Sequence, residues 1–219
     1  MQPNVKVCGL TRPEDARAAT RLGVDYLGAI FYPKSPRCVK AETLEDLLLF
    51  MPDGKRVMVD VSPEYEALEK RLDLGFDFFQ IHFDVATTPR EVITRWSSIV
   101  HRERLWLAPR LKPEDPLPDY ILELAGTLVM DTYKPGLYGG TGQTGEWARF
   151  AKLKETHPDL RVALAGGINP ENVLAAIEET NADMIDLNSG VESAPGIKDA
   201  KKIAAVMDAL YKRQLKNNG

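Results

Sequence analysis

Residues 162–192 read VALAGGINPENVLAAIEETNADMIDLNSGVE, and the order of features in this stretch decides the fold. Val162–Ala165 is a short apolar run that reads as a strand. It breaks at Gly166-Gly167 and passes through Asn169-Pro170, where proline in a first helical turn loses no needed N–H. The amphipathic stretch Pro170–Glu179 follows. A second apolar run, Met184–Asn188, then closes on Ser189-Gly190. Strand, helix and strand in this order form the repeating unit of a parallel sheet with crossover helices.

The unit recurs on both sides of that stretch. Strand candidates are Val5–Cys8, Tyr26–Phe31, Arg56–Val61, Phe76–His82, Leu105–Leu111 and Thr127–Asp131, besides the two already quoted. Helix candidates are Pro13–Leu22, Leu44–Met51, Pro63–Leu74, Pro89–Val100, Pro118–Ala125, Gly145–His157, Pro170–Glu179 and Lys198–Gln214. Thr11, Ser62 and Asn169 stand just ahead of such prolines, and their side chains can cap free amides. Eight units of roughly 27 residues suit a sheet that closes on itself. Strand counting alone also allows an open, doubly wound sheet. No Gly/Ser linker or low-complexity tract divides the chain, so residues 1–219 are read as one (βα)8 TIM barrel domain.

Of the 219 residues, 44% are hydrophobic, enough for a sizeable core. Lys and Arg number 28 against 32 Asp and Glu, a net charge of -4 that argues against duplex nucleic acid as a partner. No apolar run approaches the roughly 20 residues that span a bilayer. The segment Met1–Lys6 lacks the pattern of a secretory signal, and the two cysteines, Cys8 and Cys38, are no disulfide framework. A cytoplasmic protein without membrane or nucleic-acid partners is expected, with monomer and homodimer both open. His101 and His157 show no metal-ligand spacing, and Trp96, Trp106 and Trp147 are expected to pack.

In a parallel barrel the chemistry gathers where strands end. Here the ends are Lys6-Val7-Cys8-Gly9, Met130-Asp131, Gly166-Gly167 and Asn188-Ser189-Gly190. Alternation turns Lys6 and Cys8 the same way, into the interior. A lysine there needs a counter-charge, which Asp186 on the neighbouring last strand can supply; snorkelling at the barrel floor is the alternative. The glycines after strands seven and eight allow backbone amides to approach an anion, and phosphate is the expected one. The glycine-rich segment Pro135–Gly145, directly after Asp131, is expected to cover a substrate.

Lys6–Thr11, Pro33–Arg37, Asp131 with Gly139–Gly142, Leu164–Val173, and Ser189–Glu192 with Pro195–Asp199 together resemble the phosphoribosylanthranilate isomerase family. The resemblance spans the first strand to the last helix. It implies an Amadori rearrangement in tryptophan biosynthesis, with no metal and no organic cofactor, on a small phosphosugar substrate. By position it makes Cys8 the general base and Asp131 the general acid. It likewise makes Arg37, His82, Gly140, Thr141 and Gly142 substrate-binding, and Gly166, Gly167, Asn188, Ser189 and Gly190 phosphate-binding. The chemistry then demands that Asp131 stay protonated near neutrality. Cys8 must be available as thiolate, with Lys6 or Arg37 supplying positive charge.

Four positions depart from the family pattern. Asp60 and Ser62 are expected on the inward face of strand three, where a Phe and an Asn are usual. Phe83 stands in place of a glycine after strand four, and Asn188 in place of a serine. Two readings follow. In one, Asp60 pairs with His82 or Arg110, Phe83 fills the lost aromatic volume, and the reaction is unchanged. In the other, the anthranilate end is remodelled toward a different phosphorylated aminosugar. A barrel that binds phosphate without catalysis is a further alternative.

Overall fold

Each β-branched or apolar run is long enough for a strand and too short for a stable helix, while the stretches between carry apolar residues at helical spacing. The computed structural model describes residues 2–112, 115–131 and 145–217. Strands and helices alternate as β1 (Asn4–Val7), α1 (Pro13–Arg21), β2 (Tyr26–Ile30), α2 (Ala41–Leu48), β3 (Arg56–Val61), α3 (Tyr65–Arg71), β4 (Phe78–Asp84) and α4 (Arg90–Val100). They continue as β5 (Leu105–Arg110), α5 (Asp119–Leu124), β6 (Thr127–Met130), α6 (Gly145–Thr156), β7 (Val162–Ala165), α7 (Val173–Thr180) and β8 (Met184–Leu187). A short hairpin, β9 (Glu192–Ala194) and β10 (Ile197–Lys198), precedes α8 (Ala200–Asn217).

Strands β1 to β8 pair in sequence order, all parallel, and β8 pairs with β1. The sheet is therefore a closed (βα)8 barrel, not the open alternative. Closure settles the destiny of every strand side chain. Val5, Val7, Met58, Phe79, Ile81 and Phe83 pack outward with the helices, and Val57, Val59, Trp106, Ala108, Val129 and Ala163 fill the interior. The interior carries an aromatic cluster in which Tyr26 meets Phe78 and Trp106 edge-on at 5.5 and 5.1 Å. Trp96 and Trp147 pack as expected, Trp96 donating its indole N–H to the Pro63 carbonyl.

Two of the three expected caps are corrected. Thr11 donates its hydroxyl to the Gly196 carbonyl, and Arg12 occupies the N-cap of α1. Ser62 adopts φ +42 in the turn after β3, and Glu64 is the N-cap of α3. The Thr11 partner on the hairpin competes with the helix end, and the amide of Ser62 is held by the His82 carbonyl at 2.9 Å. Asn169 does act locally: its Oδ1 accepts from the amides of Glu171 and Asn172 at 2.9 and 3.1 Å.

Candidate active site

Cys8 follows β1 directly, and its amide donates to the Leu187 carbonyl at 2.8 Å, which extends the β1–β8 ladder. Its side chain is buried in the interior cluster. Gly28 on β2 leaves the room: a Cβ there would lie 3.1 Å from Cys8 Sγ and 3.2 Å from Lys6 Cε. Lys6 is not at the floor with its charge in water. Register sets it beside Asp186, and its Nζ donates to Asp186 Oδ2 at 2.7 Å with both side chains buried. Burial pushes Lys6 toward its neutral form, but the charge and hydrogen bond of Asp186 outweigh it and leave its pKa raised. The other Asp186 oxygen is buried and has no hydrogen-bond partner among the described residues.

The thiol expectation needs correction. Burial is the largest influence on Cys8 and raises its pKa; the Lys6 charge lowers it, Asp186 raises it, and Lys198 lowers it. Desolvation of a would-be anion wins over two nearby cations. The second of those cations is Lys198; the guanidinium of Arg37, clamped by Glu192 at 2.9 Å from Nε and 2.7 Å from Nη2, interacts with the Cys8 charge as the least of the influences on its own pKa.

A cavity of about 480 Å³ opens at the carboxyl ends of the strands. Cys8, Arg37, His82 and Asp131 all line it, with Gly166, Gly167, Asn188 and Ser189 completing one side. Asp131 follows β6 two residues after the inward Val129, so alternation brings it to the mouth. Residues 140–142 lie outside the described residues, as does the rest of the glycine-rich segment up to Thr144. Gly166 and Gly167 have φ +96 and +66, left-handed conformations that glycine adopts without strain. Gly190 is not among the lining residues. It lies against the preceding loop so closely that a Cβ would stand 2.0 Å from the Ile168 carbonyl oxygen. Its role is to let the loops after β7 and β8 touch.

His82 Nε2 lies 2.7 Å from the amide Nε2 of Gln80, two residues earlier on the same inward face. Burial, followed by the charge of Lys6, lowers the His82 pKa to about 3, so the ring is neutral at physiological pH. It can offer a substrate hydrogen bonds but no charge.

Both suspected signs of remodelling change meaning. Asp60 pairs with Arg71 from α3, and not with His82 or Arg110, while its Oδ1 accepts the Val61 amide at 2.8 Å. It stands in the outward phase of β3, its carboxylate reaching the cavity rim, because Val57 and Val59 take the inward phase. Ser62 is not among the lining residues. Phe83 also points outward, 5.8 Å edge-on from Trp96 of α4. Neither narrows the cavity interior. Asn188 does line it, and its Oδ1 accepts from Lys198 Nζ at 2.9 Å. Glu192 and Lys198 lie within the family-like motifs without an expected task, and the signal in the sequence is two charges flanking a Pro-Gly turn.

The family model described as N-(5'-phosphoribosyl)anthranilate (PRA) isomerase matches residues 5–209. An N-(5'-phosphoribosyl)anthranilate isomerase from Acinetobacter calcoaceticus is 34% identical over 216 residues, covering 96% of this chain and 97% of that one. The crystal structure of the phosphoribosyl anthranilate isomerase from Thermus thermophilus superposes with a TM-score of 0.77 at 28% identity, covering 96% and 99% of the two chains. Monomers made from the dimeric Thermotoga maritima enzyme give a TM-score of 0.68 at 28% identity, with 95% and 98% covered.

Proposed function

The chain belongs to the N-(5'-phosphoribosyl)anthranilate isomerase family of tryptophan biosynthesis, and on that premise we propose that Cys8 is its general base and Asp131 its general acid. The reaction is an intramolecular oxidation–reduction. N-(5-phosphoribosyl)anthranilate becomes 1-(2-carboxyphenylamino)-1-deoxyribulose 5-phosphate as C1 is reduced and C2 oxidised.

The observation that carries the assignment is that Cys8 and Asp131, from strands far apart in sequence, line the same cavity. Its volume, about 480 Å³, lies within the usual range for a small-molecule site. Asp131 protonates the furanose ring oxygen; the C1–O bond breaks and the nitrogen lone pair forms an iminium. Cys8 then removes the C2 proton, and the C–H electrons close the enolamine, which tautomerises to the ketone. The iminium is a cation formed beside the sulfur, so ring opening itself favours the thiolate that burial opposes.

The substrate's ends are read by different chemistry. Arg37 keeps one guanidinium nitrogen, Nη1, outside its Glu192 clamp, suited to the anthranilate carboxylate. The Gly166-Gly167 turn with Asn188 and Ser189 suits the phosphate, through amides that need no net charge. Gly190 shapes that cradle from behind, His82 serves as a neutral hydrogen-bonding wall, and Gly140, Thr141 and Gly142 are assigned to the substrate by the family pattern alone. We assign the enzyme to the cytoplasm, as a monomer or homodimer.

Cys8→Ala and Asp131→Asn are each expected to cut kcat by about 10²–10⁴, the usual worth of a positioned acid or base. Steady-state turnover of purified, folded variants checks this, with rescue of a tryptophan auxotroph lacking the isomerase as the cellular counterpart. Near-normal turnover in either variant removes that residue from the mechanism.

A further inference from the structure

The β9–β10 hairpin carries two buried charges to which the mechanism above assigns no step. Glu192 opens β9 and Lys198 closes β10, their side chains 5% and 1% exposed and 2.8 Å apart. Glu192 presents both oxygens to Arg37 and also accepts the Gly196 amide at 3.1 Å. Lys198 Nζ donates further to Asn188, at 2.9 Å to Oδ1 and 3.3 Å to the carbonyl.

Arg37 and Asn188 converge on the residue after Cys8. Gly9 has φ +73, and a Cβ there would stand 2.8 Å from both Arg37 Cδ and Asn188 Oδ1. The hairpin is itself tied to the chain that leaves β1. The Lys198 amide donates to Asp15 Oδ2 at 3.0 Å and Thr11 to the Gly196 carbonyl at 2.6 Å. An ion pair this deeply buried adds little net stability over an apolar pair of the same shape, so its geometry calls for another explanation.

We propose that Lys198 and Glu192 are positioning residues of the isomerisation, a buried ion pair that holds Arg37 and Asn188 in place around the Cys8–Gly9 turn. One device thereby sets the distance between the carboxylate-binding and phosphate-binding ends of the cavity. The Lys198 charge acts on the thiol as well, favouring the thiolate. This inference rests on the assignment of Cys8 as base and Arg37 as carboxylate ligand.

The test uses the full chain in a Cys38→Ser background, with two readouts for Lys198→Met and Glu192→Gln. Kinetics with the anthranilate substrate give kcat and KM, and the pH dependence of iodoacetamide alkylation reports the Cys8 thiolate without any turnover. Lys198→Met is expected to raise KM, to lower kcat/KM about 10–100-fold through misplacement, and to move alkylation to higher pH. Glu192→Gln, which keeps the shape and frees Arg37, is expected to raise KM. If Lys198→Met does not fold, the KM of Glu192→Gln decides. A folded variant with lowered melting temperature but unchanged KM and unchanged alkylation profile overturns the proposal and leaves a structural pair. Failure of the base assignment looks different: Cys8→Ala then keeps turnover, while the KM rise and the alkylation shift persist.

Discussion

Cys8, the proposed base, stands in a largely apolar setting. Its sulfur sits between the Lys6 chain and the space left by Gly28, where burial raises the thiol above its ordinary pKa of 9.0 despite two cations. A base that must first ionise gives a rate that climbs with pH. We therefore expect kcat/KM to rise through an acidic limb governed by the thiol, lying on the alkaline side in the free enzyme. Lys6→Met removes the larger of the two favourable charges and should push that limb further up; a limb that stays in place would show that Lys6 does not act on the base. Alternation made the inward face shared by Cys8 and Lys6 legible in the sequence, and only the family resemblance gave the thiol a role. Its raised pKa was not, since burial depends on what β2 and β8 place around it.

At the scale of elements, the strand ends were legible and the phase of one strand was not. Strand β3 is buried, with apolar residues on both faces, so a period of two has no marker to say which face is inward. Asp60 was read as inward, and only the position of Arg71 on α3 shows it facing the helix layer. Phe83, read as a loop residue after strand four, lies instead within β4 and packs outward on Trp96. The loops after β7 and β8 make the converse point, for their glycines have different tasks. Gly166 and Gly167 supply left-handed turns, whereas Gly190 supplies clearance from the Ile168 carbonyl. Gly190→Ala should force these loops apart, cost about 1–3 kcal/mol by overpacking, and raise KM for the phosphorylated substrate. Thermal melts together with KM check both effects; an unchanged KM would sever Gly190 from the phosphate cradle.

At the scale of the whole molecule, titratable groups placed by closure make stability depend on pH from both sides. His82 stays neutral in the folded barrel down to about 3, whereas the unfolded chain protonates it near 6.5. Its contribution is present above 6.5 and is lost as pH falls through that window. Burial raises the Glu192 carboxyl, but the hydrogen bonds and charges of Arg37 and Lys198 outweigh it and hold it below 4.5, so its contribution also fades in acid. Lys6 and Cys8 have raised pKa values, so their contributions are complete below 10.5 and 9.0 and fade as pH climbs through the folded values. Urea denaturation from pH 3 to 11 should trace a dome, and His82→Leu should flatten its slope between pH 6.5 and 3. A slope unchanged by that substitution would contradict a buried neutral imidazole.

The chain alone determined the alternation of strand and helix, the eight-fold count, the polar strand ends and the family to which they belong. These are local properties, carried by apolar spacing, proline and glycine along the backbone. Closure of the barrel decided the rest: which phase of β3 faces inward, that Lys6 meets Asp186, and that a hairpin beyond the last strand clamps Arg37. Contacts between residues distant in the chain depend on register and on what each neighbouring strand leaves open. Neither quantity is written in any single segment.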